Sequence, residues 1–292
     1  MEYSFRYDNY GSRVVTPKPS NDFLSEFYSE KYYQNDHGNY SKSYSDTELS
    51  FLNFQDYLID LAVQKFAIEY PKTLADIGCG QGFSSKYFYE KGLQISATDF
   101  SKNGIEQCNP GLINNIEFIQ NDIVNNDFFV NRNFDLLILK NVLEHVKSPK
   151  SLISKIKKKM TKNSILEIIV PNDSKNPIID SYLSSNNISF DQIKTFCPPE
   201  HLTYYSFDSL KKFMNDQGFN EICNLGDFPI EMFLLSTQTD YYKKNFGSTA
   251  HEIRCKVFKI MMTIEQEKVL QLSESLGNMG LTRQIISLYK IH

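Results

Sequence analysis

The chain has 292 residues, 41% of them hydrophobic, enough for one substantial buried core with residues left over for an insertion or a small appendage. Its formal charge of -4 gives no electrostatic footprint for a phosphate backbone, so no nucleic-acid partner is expected and a small-molecule partner fits better. Five scattered cysteines, Cys79, Cys108, Cys197, Cys223 and Cys255, form no C-x-x-C pair, which argues against a disulfide framework and a zinc site, and no metal is expected.

Met1 to Tyr10 lacks the basic stretch and apolar run of a signal peptide. No apolar segment approaches the roughly 20 residues that span a bilayer, so no membrane insertion and a cytoplasmic location are expected. Residues 1–44 are polar and tyrosine-rich, with Tyr32 and Tyr33 among them, and read as a flap or cap that forms at most a short helix. Ser45 and Glu48 have the spacing of a capping box, and Phe51, Phe54, Leu58, Leu61 and Ala62 then recur at helical spacing until Pro71.

From Thr73 the pattern alternates between short apolar runs and helical stretches. Strands are expected at 73–77, 94–98, 116–120, 134–139 and 164–170, with helices near 82–91, 102–108 and 149–160, the last opened by Ser148 and Pro149. Such alternation specifies an α/β fold, a mostly parallel, doubly wound sheet covered by helices on both faces. Residues 172–205 form a polar, proline-punctuated insertion, a length more typical of a functional lid than of slack chain. Ser206 should cap a helix closed by Gly218, followed by a strand pair at 220–225 and 231–237. Residues 241–292 read as a helical extension, with Ile253, Val257, Ile260, Met261 and Ile264 on one face and a short helix from Leu281 to Ile291. That extension would pack on the domain or pair two copies as a homodimer.

The chemistry lies in Leu74-Ala75-Asp76-Ile77-Gly78-Cys79-Gly80-Gln81-Gly82, a carboxylate inside a strand end and three glycines on the turn into a helix. Glycines let backbone approach a ligand and adopt positive φ, while exposed amides and the helix N-terminus favour an anionic group. Taken alone, the turn also fits a dinucleotide fingerprint or a plain strand-to-helix turn. Its G-x-G-x-G spacing differs from the G-x-G-x-x-G of dinucleotide folds, and Asp76 would oppose a pyrophosphate yet could bind the aminoacyl ammonium of S-adenosylmethionine. Asp99 ends the second strand, where a carboxylate accepts both ribose hydroxyls, in NAD as readily as in S-adenosylmethionine. After the third strand, Asp122 and Ile123 offer an acceptor and an apolar wall to an adenine.

The strings LADIGCGQG, ATDFS, NDI and FDLLILKNVLEHV, in that order over residues 45–240, resemble the class I S-adenosylmethionine-dependent methyltransferases. Pro199-Glu200-His201-Leu202 with Tyr205-Ser206-Phe207 is similar to the subgroup associated with bacterial sugar and surface-polysaccharide (capsule) biosynthesis. The resemblance implies a seven-stranded, Rossmann-like methyltransferase domain over 45–240 whose last strand is antiparallel, and S-adenosyl-L-methionine as cofactor with S-adenosyl-L-homocysteine as product. It implies cofactor residues Asp76, Gly78, Cys79, Gly80 and Gly82 at the methionine moiety, Asp99 at the ribose, Asp122 with Ile123 at the adenine, and Phe100 and Asn141 as further cofactor contacts. The pair Lys140-Asn141 departs from relatives that carry an acid there. The acceptor implied is an oxygen, less readily a nitrogen or carbon, of a glycan precursor.

Alignment of a nucleophile with an activated methyl leaves proton removal as the remaining chemical task, and histidine suits it. Of the five histidines, His37, His145, His201, His251 and His292, His201 is the expected base, beside Glu200 on a loop that should reach over the carboxyl edge of the sheet. Glu200 and His201 read equally well as anchors of that loop. Tyr204 joins them as a catalytic candidate, with ordinary packing as its alternative. His145 reads as a structural hydrogen-bonding group, and Lys155, Lys157, Lys158 and Lys159 as a solvated face. A nucleoside-cofactor oxidoreductase and a non-catalytic cofactor-binding scaffold remain as alternative functions.

Overall fold

The structure is a computed structural model that describes residues 3–20, 23–24 and 44–292. Tyr32, Tyr33, His37 and most of the expected cap lie outside the described residues. Two short strands, β1 (Ser4–Tyr7) and β2 (Arg13–Thr16), open the described chain as an antiparallel hairpin. The helical option for the N-terminal segment is therefore corrected over these residues. The hairpin finds its third strand, β8 (Thr203–Tyr204), at the end of the insertion.

Helix α1 (Asp46–Phe66) begins where the sequence places it: the Ser45 side chain accepts from the Glu48 N–H, and the Glu48 carboxylate accepts from the Ser45 N–H. The alternating region then yields β3 (Thr73–Ile77), α2 (Phe83–Glu90), β4 (Gln94–Asp99), α3 (Asn103–Cys108), β5 (Glu117–Gln120), β6 (Phe134–Lys140), α4 (Pro149–Lys157) and β7 (Met160–Pro171). The insertion contains α5 (Pro177–Asn186), and α6 (Phe207–Asp216) and β9 (Phe219–Gly226) follow it. Helices α7 (Gly247–Met261) and α8 (Gln266–Met279) lead to the final strand, β10 (Gln284–Ile291).

The seven-stranded sheet runs β5-β4-β3-β6-β7-β10-β9. Every pair is parallel except those of β10, which is antiparallel to both β7 and β9. Both faces are covered, as the inner strands show: Leu137 and Leu139 pack with Leu152, Ile156 and Leu210 on one side. Leu136 and Ile138 pack with Leu58, Ala62 and Phe258 on the other. The chain reverses direction across the sheet between β3 and β6, and ligands of open α/β folds bind at the carboxyl ends of strands at such a point.

Two C-terminal readings are corrected. Residues 281–291 form no helix: β10 lies inside the sheet. A strand buried on both faces shows a continuous apolar run, and a run such as Gln284-Ile285-Ile286-Ser287-Leu288-Tyr289 carries no period that separates strand from helix. Gly280, at φ 67°, ends α8 and turns the chain into that strand. The expected strand at 231–237 is instead a 3₁₀ turn, Ile230–Leu235, because β9 takes the distant β10 as its partner. The tail helices do form and pack on the domain, with Phe258 of α7 stacked on Phe54 of α1 at 4.1 Å between ring centroids.

Candidate active site

A cavity of about 430 Å³ opens at the carboxyl ends of β3, β4, β5 and β6. Asp76, Gly78, Cys79, Gly80, Asp99, Phe100, Asp122, Ile123 and Asn141 line it, nine of the ten residues expected to hold a cofactor. The tenth, Gly82, packs behind them. At φ 76° it caps α2, and a Cβ on it would lie 2.8 Å from the Ile105 side chain. Gly78 is equally constrained, with φ 78° and an added Cβ only 2.4 Å from Val142 Cγ2.

Hydrogen bonds to the neighbouring strand fix the turn. The Gly78 and Cys79 N–H groups donate to the Thr98 carbonyl at 2.8 and 3.1 Å, and the Gly80 N–H donates to Asp99 Oδ2 at 2.8 Å. Asp99 thus holds the glycine turn besides facing the cavity. On the far side, Gly104 of α3 lies so close that a Cβ there would stand 2.7 Å from the Gly80 carbonyl oxygen. Nothing in the sequence marks Gly104 as part of the site, since its contact is with a turn twenty-odd residues away.

The floor under the turn is charged. Asp76 is buried, accepts from Ser85 Oγ at 2.6 Å, and is pushed up to about 7 by that burial. Asp56, fully buried on α1, accepts from Ser84 Oγ at 2.7 Å and pairs with Lys140 Nζ at 3.2 Å. Lys140, the departure noted in the sequence, therefore enters the cavity wall as a cation with its own counterion. Asp76 and Lys140 both line the cavity, an acid and a cation within reach of a zwitterionic amino-acid group, and Asp56 lies behind them as the partner of Lys140. Asp56 could have been suspected as a carboxylate close to the buried stripe of an amphipathic helix.

At the other end, Asp122 closes its own turn: Oδ1 accepts from the N–H groups of Val124 and Asn125 at 2.9 and 3.0 Å, and Oδ2 from Asn125 Nδ2 at 2.6 Å. Lys155 Nζ donates to the carbonyls of Val124 and Asn126 at 2.6 and 2.8 Å, bracing the same turn. The solvated-face reading is therefore corrected for Lys155. It is corrected likewise for Lys157, which donates to the Gln217 carbonyl, and for Lys159, which is buried against Asp127.

The expected catalytic trio is placed differently from its cofactor neighbours: Glu200, His201 and Tyr204 are not among the cavity-lining residues. Tyr204 is buried, stacks on Phe196, and its hydroxyl accepts from the Cys197 N–H at 3.0 Å, so it supports the loop. Among the described residues, the histidine on the cavity wall is His145, from the turn Leu143–His145. Its Nδ1 lies 2.7 Å from the Glu200 carbonyl, and its ring meets His201 edge to face at 4.8 Å between centroids. Burial lowers His145 to about 4 and holds His201 well below its ordinary value, so both imidazoles are neutral at neutral pH. Glu144, 1% exposed beside them, is raised by burial to about 8. Sequence reasoning found the segment Glu200-His201 but not its contact with Glu144-His145, which joins loops 55 residues apart.

The model of a methyltransferase domain matches residues 51–224 of the chain. No curated protein matches it. Among solved structures, the plantazolicin methyltransferase BpumL in complex with SAH is 16% identical, covers 92% of this chain and 94% of its own, and superposes with a TM-score of 0.54. The same enzyme with a monoazolic desmethylPZN analog and SAH gives 15% identity over 84% of this chain and 85% of its own, with a TM-score of 0.52. A methyltransferase in complex with the Haloferax volcanii Trm112 methyltransferase activator gives 11% identity, 84% and 94% coverage, and a TM-score of 0.50. Likeness at these identities is likeness of fold. Among the described residues, no helix is long and apolar enough to cross a membrane.

Proposed function

The chain belongs to the methyltransferase-domain family and is an S-adenosylmethionine-dependent methyltransferase, and from that premise we propose that it methylates an oxygen of a small hydroxylated acceptor. The family match favours the transferase over the oxidoreductase alternative. The observation that carries the proposal is the cavity at the strand-order reversal, with the glycine turn and charged floor on one side and His145 on its wall.

The residues present fit the cofactor, because Gly80 lines the cavity where an added Cβ would meet no protein atom within 4 Å, so its backbone stands open to a ligand, and Asp76 and Lys140 offer both signs of charge. Asp76 would hold the ammonium, Lys140, braced by Asp56 behind it, the carboxylate, Asp99 the ribose, and Ile123 beside Asp122 the adenine. When bound, S-adenosylmethionine supplies a methyl on a sulfonium, which passes to the acceptor oxygen as the S–CH₃ bond breaks and its electron pair returns to sulfur. The chain's own task is alignment, exclusion of water and handling of the hydroxyl proton. We assign the last to the cluster of Glu144, His145 and His201, with His145 meeting the acceptor and His201 behind it, and the proton passes on to solvent. In this reading Glu200 acts through its main-chain carbonyl, which orients His145.

A sugar or phosphorylated precursor of a surface glycan is the acceptor the sequence suggests, and a desmethylPZN analog is the contrasting one. Purified protein with methyl-labelled S-adenosylmethionine, offered nucleotide sugars, sugar phosphates and a desmethylPZN analog, should label a hydroxyl of a sugar compound. Label appearing only on a nitrogen, or only on the desmethylPZN analog, would refute the acceptor assignment.

A further inference from the structure

We propose that Glu144, His145 and His201 form a binding site for a divalent transition-metal ion at the edge of the cofactor cavity. A carboxylate oxygen and one nitrogen from each ring lie within 4.8 Å of one another. Donors bound tetrahedrally at about 2.1 Å stand about 3.4 Å apart, so small side-chain rotations close the set on an ion. One edge is nearly at that spacing already, with His145 Nε2 at 3.7 Å from Glu144 Oε1.

Three features point to a ligand. Neither carboxylate oxygen of the buried Glu144 has a hydrogen-bond partner, and burial of an unsatisfied carboxyl is costly in either protonation state. Nδ1 of His201 is also buried without a partner. The Glu200 carbonyl can only accept, so His145 carries its proton on Nδ1, and its Nε2 lies 3.7 Å from Glu144 Oε1. A backbone carbonyl that fixes the tautomer in this way is the usual outer support of a metal-binding histidine.

The two loops that supply the donors are fastened together, the Leu202 N–H donating to the Glu144 carbonyl at 2.8 Å. Asp173 and Glu200 act on Glu144 and favour a cation, and the Arg283 guanidinium that acts on His201 is itself paired with Asp173. Two imidazoles with one carboxylate select zinc, iron(II), cobalt or manganese over the oxygen-seeking calcium and magnesium. Three protein donors leave a coordination position open, and because His145 also lines the cavity, an acceptor oxygen can complete the set; the ion then holds the His145 Nε2 lone pair and takes over from the free imidazole the task of acidifying the acceptor hydroxyl, whose proton leaves to solvent. That role for the acceptor rests on the methyl-transfer reading, whereas uptake of the ion does not.

The test uses the full chain, stripped with EDTA and dialysed, then titrated with Zn²⁺ by calorimetry and with Co²⁺ by visible absorption. One ion per chain is expected, with affinity at least about 100-fold lower in Glu144→Gln and in His201→Ala. Both variants should keep the wild-type circular dichroism spectrum and SAH affinity, which separates ligand loss from misfolding. No uptake by the stripped wild-type chain, or equal affinity in folded Glu144→Gln and His201→Ala, overturns the proposal. Stoichiometric uptake with no acceptor methylated supports the site and refutes only the acceptor reading.

Discussion

Substitution of Gly104 by alanine sets two effects of opposite sign against each other. Alanine in place of glycine favours a helix by at most about 1 kcal/mol, and by less near the end of a helix as short as α3. Against this, the new Cβ would stand 2.7 Å from the Gly80 carbonyl oxygen and 2.9 Å from its carbon, where ordinary contact begins at 3.4 Å. The atoms it meets are backbone, so no rotamer change relieves the contact. The turn cannot simply yield, because the Gly80 N–H is held by Asp99 and the Gly78 and Cys79 N–H groups by Thr98. Overpacking of this kind costs about 1 to 3 kcal/mol and should outweigh the helix gain. Gly104→Ala is therefore expected to lose about 1 kcal/mol of stability in urea unfolding and to bind SAH about tenfold more weakly as the turn shifts. Gly247→Ala is the control, since nothing lies within 4 Å of a Cβ there and it should bind SAH as the wild type does. A Gly104→Ala protein more stable than wild type with unchanged SAH affinity would show that the turn is not held against α3.

Asp99→Asn keeps the shape of the side chain but removes the charge that accepts from the Gly80 and Ser101 N–H groups at 2.8 and 3.2 Å. Loss of hydrogen bonds to a charged group, about 1.5 to 3 kcal/mol, should weaken SAH binding about 10- to 100-fold by calorimetry, and an unaltered affinity would remove Asp99 from the cofactor site. Glu231 is fully buried and pushed up to about 7 by that burial. Its native form therefore holds a proton more tightly than the unfolded chain. The resulting stability is fully present below about pH 4.5 and is lost as the pH rises through 7. Between pH 5 and 8 the wild type should lose on the order of 2 to 3 kcal/mol more than Glu231→Gln in urea unfolding, and parallel curves would contradict the assignment.

Local signals in the sequence determined much of this protein. The capping box at Ser45 and Glu48, the β3 to β7 alternation, and the turn from Asp76 to Gly82 each depend on residues within one or two turns of each other. The donor was legible for the same reason: Gly78, Asp99 and Asp122 lie at or just beyond strand ends, and parallel strands bring such ends to one edge. Only the tertiary structure decided the rest, because pairing between distant segments leaves no local period. It placed 284–291 between β7 and β9, a choice set by burial on both faces. It brought Gly104 against Gly80, fixed by the packing of α3 on the turn. It also set His145 on the cavity wall with His201 behind, because the insertion folds back until the Leu202 N–H reaches the Glu144 carbonyl. The sequence located the donor; contact between two loops 55 residues apart formed the cluster proposed to handle the acceptor.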